Sequence, residues 1–271
     1  MTVIATIITS RFCVHATDSF LTRPRPDGTY ERVEAQKTKI VAVPAWRGAV
    51  SYWGLAAHDS GWRTLKWLQE KARAASTYSG PEDFALSIAS ELTDILRRLR
   101  FRAPRAAGLG LHFTAYEHID RNWIPELFHI RNWSDTTYSS TAQHVAVTRE
   151  TYGTVQNTTA RSHSDRDPSR RLAVRDALGQ GVVLTFNNGD PVLYNPIASS
   201  LFSGAQQLVR RRHLRNPSSL KTHLSLARLP IEVVSRMVSQ LSDRDMRLVG
   251  GKPHDLAISP DGRMWSSTGD A

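Results

Sequence analysis

The stretches that decide the fold are TVIATIITSRFCVHATDS (residues 2–19) and KIVAVPAWRGAVSYWG (residues 39–54). In each stretch, two runs of β-branched and other apolar residues flank a short turn, Ser10-Arg11 in the first and residues 44–48 in the second. Such runs favour strands, and a short turn between two strands indicates a hairpin. The sequence therefore predicts two β-hairpins near the N-terminus.

The pairing within each hairpin predicts which residues meet at its open end. A first turn centred on Ser10 places Thr2 opposite Asp18, and the second turn places Lys39 opposite Gly54. A shift by one residue or a bulge would change either register. The open ends of the two hairpins are thus expected to collect a hydroxyl, a carboxylate, an ammonium and a glycine.

Thr2 has chemistry of its own, because the initiator Met1 is usually removed when the second residue is small. A mature N-terminal threonine carries both a hydroxyl nucleophile and an α-amine, whose reference pKa of about 7.7–8.0 suits a base. A nearby lysine ammonium lowers the pKa of both groups, and a carboxylate orients the lysine. A glycine allows a backbone N–H to approach a developing oxyanion.

This set of residues resembles the active site of the proteasome-type N-terminal-nucleophile hydrolases. The matching positions are Thr2, Asp18 in the run ATDS, Lys39 before an isoleucine, and Gly54 after the run SYW. Thr2 and Asp18 are 16 positions apart, and Lys39 and Gly54 are 15 apart, as in the bacterial two-component protease subunit. The resemblance is close over about the first 70 residues and looser at 109–130 and 249–262.

The resemblance implies an α+β fold of the four-layer αββα type, with Thr2 as nucleophile and base. It implies that Asp18 and Lys39 tune this nucleophile and that the Gly54 N–H contributes to the oxyanion hole. It also implies a threonine peptidase that cleaves polypeptides without a metal or an organic cofactor. The implied partners are further copies of the chain, in a ring or an open array, and an ATP-dependent unfoldase.

Some assignments stay open in the sequence. Lys37 competes with Lys39 for the lysine role. The family also uses a later serine and an aspartate–serine pair, for which Ser203-Gly204 and either Asp243 or Asp245 are candidates only.

The remaining pattern favours one layered α+β domain over residues 1–271, with a polar loop or insertion around 156–180. Apolar residues repeat every three or four positions after Pro81, which indicates a buried helical face. Asp59 or Ser60 is expected to cap an earlier helix. Further helices are predicted at 197–212 and 231–241, and strands at 109–116, 126–130, 182–186, 192–194 and 255–258.

The composition narrows the function classes. A formal net charge of +10 suits an acidic or polyanionic partner as well as an Arg-rich solvated surface. Cys13 is the single cysteine, so an internal disulfide and a cysteine-based zinc site are excluded. No phosphate-binding Gly-Lys loop is present. His112, His118 and His129 lack the spacing of a metal site and are interpreted as strand-surface residues.

The cellular location is expected to be the cytoplasm. No apolar run approaches the ~20 residues that a membrane helix needs, and the N-terminus lacks the basic region of a signal peptide. We therefore expect no membrane partner.

Two alternatives stand beside the threonine peptidase. A hydrolase of the same fold could act on small amides in place of polypeptides. A non-catalytic relative could keep the sandwich and use its positive charge to bind nucleic acid or an acidic partner. The two hydrolases require a mature Thr2, whereas the binding protein would tolerate Thr2→Ala.

Overall fold

The computed structural model shows an α+β fold, with helices and antiparallel sheets, as the sequence predicts. The residues that the structure describes are 3–24, 30–34, 38–99, 108–119, 121–133, 141–149, 151–152, 161–162, 176–189, 194–215, 217–241 and 249–267.

The first sheet is built around the predicted hairpin of β1 (Ile4–Ile8) and β2 (Cys13–Thr17). Every residue of these two strands is buried, because both faces of the sheet are covered. β12 (Leu184–Asn188) pairs with the other edge of β1, and β13 (His254–Ile258) pairs with β2. β14 (Met264–Trp265) completes the sheet beside β13.

The second sheet starts with the other predicted hairpin. Its order is β5 (Ile40–Val43), β6 (Gly48–Gly54), β7 (Leu109–Ile119), β8 (Asn122–Trp133) and β9 (Thr141–Arg149). A 3₁₀ turn at Pro44–Trp46 joins the first two of these strands. The short hairpins outside both sheets are β3 (Leu21–Pro24) with β4 (Tyr30–Glu34), and β10 (Thr151–Tyr152) with β11 (Arg161–Ser162).

The helices that pack on the sheets are α1 (Thr64–Arg73), α2 (Pro81–Arg98), α3 (Tyr194–Arg210) and α4 (Leu220–Leu241). α2 starts with a proline, whose missing N–H would have no partner in the first turn anyway. Glu82 and Asp83 follow, where the helix dipole favours negative charge. Within the described ranges, no helix is both long and apolar enough to cross a bilayer.

The helices cover the outer faces of the two sheets. α1 and α2 pack on the second sheet, and α3 and α4 pack on the first. The inner faces of the sheets meet, with β2 and β13 against β5 and β6. The apolar cluster between them contains Ile8, Cys13, Ile40, Ala49, Tyr116, Leu127, Leu178, Leu256 and Ile258.

Three sequence predictions about elements are corrected. β12 pairs with β1, and Tyr194, the last residue of the predicted strand at 192–194, begins α3; residues 192–193 lie outside the described residues. α1 begins at Thr64, several residues after the expected cap. α4 begins at Leu220 and contains Pro230, so it is about twice the predicted length.

The polar region around 156–180 is described only in part. Residues 161–162 form β11, and residues 176–179 form a short helical turn. The rest of the predicted loop lies outside the described residues. β9, at 141–149, is a strand that the sequence pattern did not predict.

Candidate active site

Asp18 connects three segments at the open end of the first hairpin. It directly follows β2, and its side chain is fully buried. Its Oδ1 atom accepts a hydrogen bond from the Val3 N–H at 3.0 Å and another from Lys39 Nζ at 2.8 Å. The carboxylate thus ties the residue after Thr2 to the residue before β5.

Lys39 is the buried cation of the site. Besides its bond to Asp18, Nζ donates a hydrogen bond to the Phe20 carbonyl at 2.5 Å. Burial lowers the pKa of Lys39 from its usual value, while the charge and hydrogen bond of Asp18 oppose this shift. The two charges depend on each other, since either alone would be an uncompensated buried charge.

Thr2, the predicted nucleophile, lies outside the described residues. Its neighbour Val3 is fully buried and holds the chain against Asp18 with its N–H. The Asp18 N–H in turn donates to the Val3 carbonyl at 3.3 Å. The residue that follows Thr2 is therefore fixed at the Asp18–Lys39 pair.

The register of the first hairpin differs from the predicted one by one residue. Ile4 pairs with Thr17, so Val3 meets Asp18 where Thr2 was expected to do so. The cause lies in the turn, where the Thr9 N–H donates to the Phe12 carbonyl at 3.0 Å. The turn is therefore centred between Ser10 and Arg11, not on Ser10.

The register of the second hairpin differs from the predicted one by two residues. Lys39 does not lie opposite Gly54, because the Tyr52 N–H donates to the Lys39 carbonyl at 3.1 Å. Gly48 belongs to β6 and pairs with Val43, which makes the connection shorter than expected. N–H groups two residues apart on a strand point to the same edge. The Gly54 N–H therefore points to the β5 edge, beyond Lys39.

Gly54 needs to be glycine for reasons of backbone geometry. Its φ of 88° lies in the left-handed region. A Cβ atom at this position would lie 2.2 Å from the Gly108 carbonyl oxygen. The position can therefore expose its N–H, but it cannot accept a side chain without a shift of the backbone.

Three consecutive residues beside the ion pair carry buried oxygens without a hydrogen-bond partner among the described residues. They are Thr17 Oγ1, Asp18 Oδ2 and Ser19 Oγ. Buried polar atoms are normally paired, because leaving one unpaired costs about 1–3 kcal/mol. The site thus holds unused hydrogen-bonding capacity next to Val3. The sequence prediction included Asp18 but not Thr17 or Ser19.

The C-terminal segment packs directly on this site. The Ser19 N–H donates to the Gly250 carbonyl at 3.1 Å. At Gly251, where φ is 79°, a Cβ atom would lie 2.1 Å from Ser19 Oγ. A larger residue at position 251 would therefore displace Ser19 or the segment that leads into β13.

A buried polar network between the two sheets is the feature that the sequence prediction missed. His15 on β2 contacts Ser51 Oγ through Nδ1 at 2.8 Å and Thr114 Oγ1 through Nε2 at 2.7 Å. Burial lowers the pKa of His15 to about 3, so the ring is neutral near pH 7. In the sequence, the one sign of this network is a histidine, His15, inside a run that otherwise reads as a buried strand.

His112 and His129 are buried, which corrects their interpretation as strand-surface residues. His112 contacts Thr6 Oγ1 at 2.9 Å and the side chain of Asn188. Burial, with smaller effects of the neighbouring histidines, holds the pKa of His112 well below 6.5. His118 is exposed. Over the described ranges, no group of three His, Cys, Asp or Glu residues could hold a metal ion.

The other candidate residues do not join the site. Ser203 is exposed on α3. Lys37, Asp243 and Asp245 lie outside the described residues. Cys13 is fully buried, and burial raises its pKa to about 12, which suits a packed apolar residue and not a nucleophile.

No protein-family model matches this sequence, and no curated protein matches it significantly. A buried ammonium lowers the pKa of any amine or hydroxyl placed beside it. The Lys39 ammonium shares the Asp18 Oδ1 acceptor with the N–H of Val3.

Proposed function

We propose that this chain is a threonine-type amide hydrolase with the four-layer αββα sandwich of the proteasome-type N-terminal-nucleophile hydrolases. The observation that carries the proposal is that Asp18 Oδ1 binds both Lys39 Nζ and the N–H of Val3, the residue after Thr2. The packing of two facing sheets, each covered by helices on its outer face, supports the fold.

In the proposed reaction, removal of Met1 frees the α-amine of Thr2. The Thr2 hydroxyl oxygen attacks the carbonyl carbon of the scissile amide, and the hydroxyl proton passes to the α-amine. The resulting ammonium then protonates the leaving amine as the C–N bond breaks, which leaves an ester on Thr2. Water attacks this ester, releases the acid and restores the hydroxyl.

Lys39 and Gly54 have distinct roles in this scheme. The Lys39 ammonium favours the neutral amine and the partly anionic hydroxyl of Thr2, because a second positive charge beside it is disfavoured. Asp18 keeps the ammonium in place. The Gly54 N–H, which points to the β5 edge beyond Lys39, is the proposed donor to the oxyanion.

The proposed substrate is a polypeptide, and the proposed working form is a homo-oligomeric ring or array served by an ATP-dependent unfoldase. The expectation for this substrate rests on the resemblance of the site residues alone. A hydrolase of small amides would use the same chemistry. Casein and a series of short acyl amides, supplied to the same preparation, separate the two substrate classes.

The direct test of the reaction is a hydrolysis assay of the wild type, Thr2→Ala and Thr2→Ser. Removing the hydroxyl should abolish turnover, and serine should retain a measurable fraction because it keeps both functional groups. Ser10→Ala, in the first turn, is a matched control and should have wild-type activity. Full activity of Thr2→Ala would exclude both hydrolase assignments.

A further inference from the structure

The turn of the first hairpin lies at the end of the first sheet that is remote from the candidate active site. Ser10 and Arg11 are exposed there, and seven residues separate Ser10 from Val3. Seven residues of a strand span about 24 Å. Arg11 donates a hydrogen bond to the carbonyl of Ser218, in the connection between α3 and α4, at 2.8 Å. The turn therefore lies against this connection.

α3 runs from the site end of the first sheet to this remote end. Its first residue, Tyr194, donates a hydrogen bond to the Ile4 carbonyl at 3.2 Å. Gln206, near the end of the helix, donates to the carbonyl of Val183, next to β12, at 3.4 Å. The 17 residues of α3 span about 25 Å, which matches the length of the hairpin. The end of α3, the start of α4 and the hairpin turn therefore meet at one surface.

This surface is strongly basic. Residues 191–231 contain six Lys or Arg residues and no Asp or Glu. Exposed side chains run without a break through 210–215, which include four arginines. We use the name basic corner for the exposed cations at this end of the sheet: Arg11, Arg210, Arg211, Arg212, Arg215 and Lys221.

The cations of the basic corner have no carboxylate partner within the part of the chain that the structure describes. Lys221 also lies in the first turn of α4, where the helix dipole disfavours positive charge. The like charges therefore repel one another, and an anionic partner would relieve this repulsion. The ion pairs between described residues use other cations: Lys39, Lys71, Arg97, Arg228 and Arg263.

We propose that the basic corner binds the phosphate backbone of double-stranded DNA. A DNA duplex is a stiff polyanion with one negative charge about every 1.7 Å along its axis, so cations from three elements can meet phosphates at once. Five of the six cations are arginines, whose planar guanidinium groups form bidentate hydrogen bonds with phosphate. Phosphate contacts carry no sequence information, so we expect binding that is independent of the DNA sequence.

The aromatic residues near the basic corner disfavour single-stranded nucleic acid as its partner. Proteins that bind single strands commonly stack the bases on exposed aromatic rings. Tyr194 and Phe202 are the only Tyr, Phe or Trp residues between 194 and 241, and both are buried. The ring of Phe12, beside Arg11, packs against His223 and Trp265.

Two further classes of partner fit the basic corner less well than a DNA duplex. Interfacial membrane helices commonly insert Trp or Phe, whereas the exposed apolar side chains at the corner are two leucines, Leu208 and Leu214. Interfaces with DNA are much more positively charged than interfaces between proteins. A surface of one charge sign therefore favours DNA over an acidic protein.

The test is the binding of a short labelled DNA duplex, measured by fluorescence anisotropy from about 50 to about 200 mM salt. If all six cations meet phosphates, the logarithm of the affinity should fall with the logarithm of the salt concentration with a slope of about −5. The corner variant, Arg211→Glu with Arg215→Glu, should bind at least roughly tenfold more weakly, and its slope should be smaller by about 2. Arg211→Lys with Arg215→Lys keeps both charges and should retain most of the affinity.

The matched control is Lys66→Glu with Arg73→Glu, which changes the net charge equally at exposed positions of α1. α1 packs on the second sheet, on the opposite outer face of the molecule. Charges there are screened beyond about 10 Å at 0.1 M salt, so this variant should bind the duplex within about twofold of the wild type. Urea denaturation shows whether each variant is folded, and Arg211→Gln with Arg215→Gln replaces the corner variant if that variant unfolds.

Several results would overturn the proposal. These are no binding of the duplex at about 50 mM salt, an equal loss of affinity in the corner and α1 variants, or tighter binding of the unpaired strand than of the duplex. Vesicles of phosphatidylserine and phosphatidylcholine, or polyglutamate, could bind the wild type and not the corner variant while the duplex does not bind. That result would assign the corner to a membrane or an acidic protein instead. None of these outcomes depends on Thr2, so they are independent of the proposed hydrolysis.

Discussion

At the scale of single residues, the buried pair of Lys39 and Asp18 is the centre of the proposed site. Both side chains are fully buried, so both charges lose their hydration on folding. The ion pair of 2.8 Å offsets part of this cost, together with the hydrogen bonds to the Val3 N–H and the Phe20 carbonyl. Such pairs often add little net stability compared with an apolar pair of the same size. We propose that the pair is kept for the chemistry of the ammonium and not for stability.

Replacing Lys39 by methionine should abolish hydrolysis and destabilise the fold. Methionine matches the length of lysine but leaves the Asp18 carboxylate buried without its counter-charge, which costs about 3–5 kcal/mol. Chemical denaturation and the hydrolysis assay measure the two effects. Lys66→Met, on the exposed part of α1, is the matched control and should change neither quantity.

The double variant Asp18→Asn with Lys39→Met separates structure from chemistry. It leaves no buried charge, so it should recover most of the stability that Lys39→Met loses. Hydrolysis should remain absent, because the ammonium is missing. Activity that returned together with stability would assign Lys39 a structural role only.

At the scale of elements, the two sheets are joined by neutral histidines in a polar network. His15 reaches from β2 to β6 and β7, and His112 reaches from β7 to β1. A ring that is neutral when folded and protonated when unfolded makes the stability depend on pH. The unfolded chain binds more protons between the two pKa values, so stability falls as the pH falls.

For His15, this loss begins near the unfolded pKa of 6.5 and is complete near the folded pKa of about 3. Lowering the pH from 7 to 5 should therefore cost about 2 kcal/mol through His15 alone. His15→Gln removes this titration, and its stability should fall less steeply over the same range in urea denaturation. His118→Gln, at an exposed position, should keep the wild-type slope. Equal slopes for His15→Gln and the wild type would contradict the role of the network.

The elements that the sequence predicts well are those whose partners are close along the chain. The first two hairpins follow from β-branched runs and short turns, and α2 follows from its apolar repeat and Pro81. The pairing of β12 with β1 joins residues about 180 positions apart, and no local pattern encodes it. The registers differ from prediction because the turn hydrogen bonds, not the residue types, fix the centre of each hairpin.

At the scale of the whole molecule, the sequence predicts which groups lie at the site better than it predicts how they meet. Asp18 and Lys39 come together as expected, although neither register is the predicted one. Their long-range contact requires both sheets to be stacked, which spacing along the chain does not show. The contributions of Thr17, Ser19 and Gly251 depend on a second long-range contact, the pairing of β13 with β2, which brings the C-terminal segment to the open end of β2.

The central claim is that a free amine on Thr2 works with its own hydroxyl beside Lys39. The most direct test of this claim is to measure the intact mass of the purified protein before and after treatment with an epoxyketone, and then to map the peptides. We expect a chain without Met1 that gains one adduct on Thr2, and no adduct in Thr2→Ala. Retention of Met1 in every preparation, or an adduct that forms equally in Thr2→Ala, would contradict it.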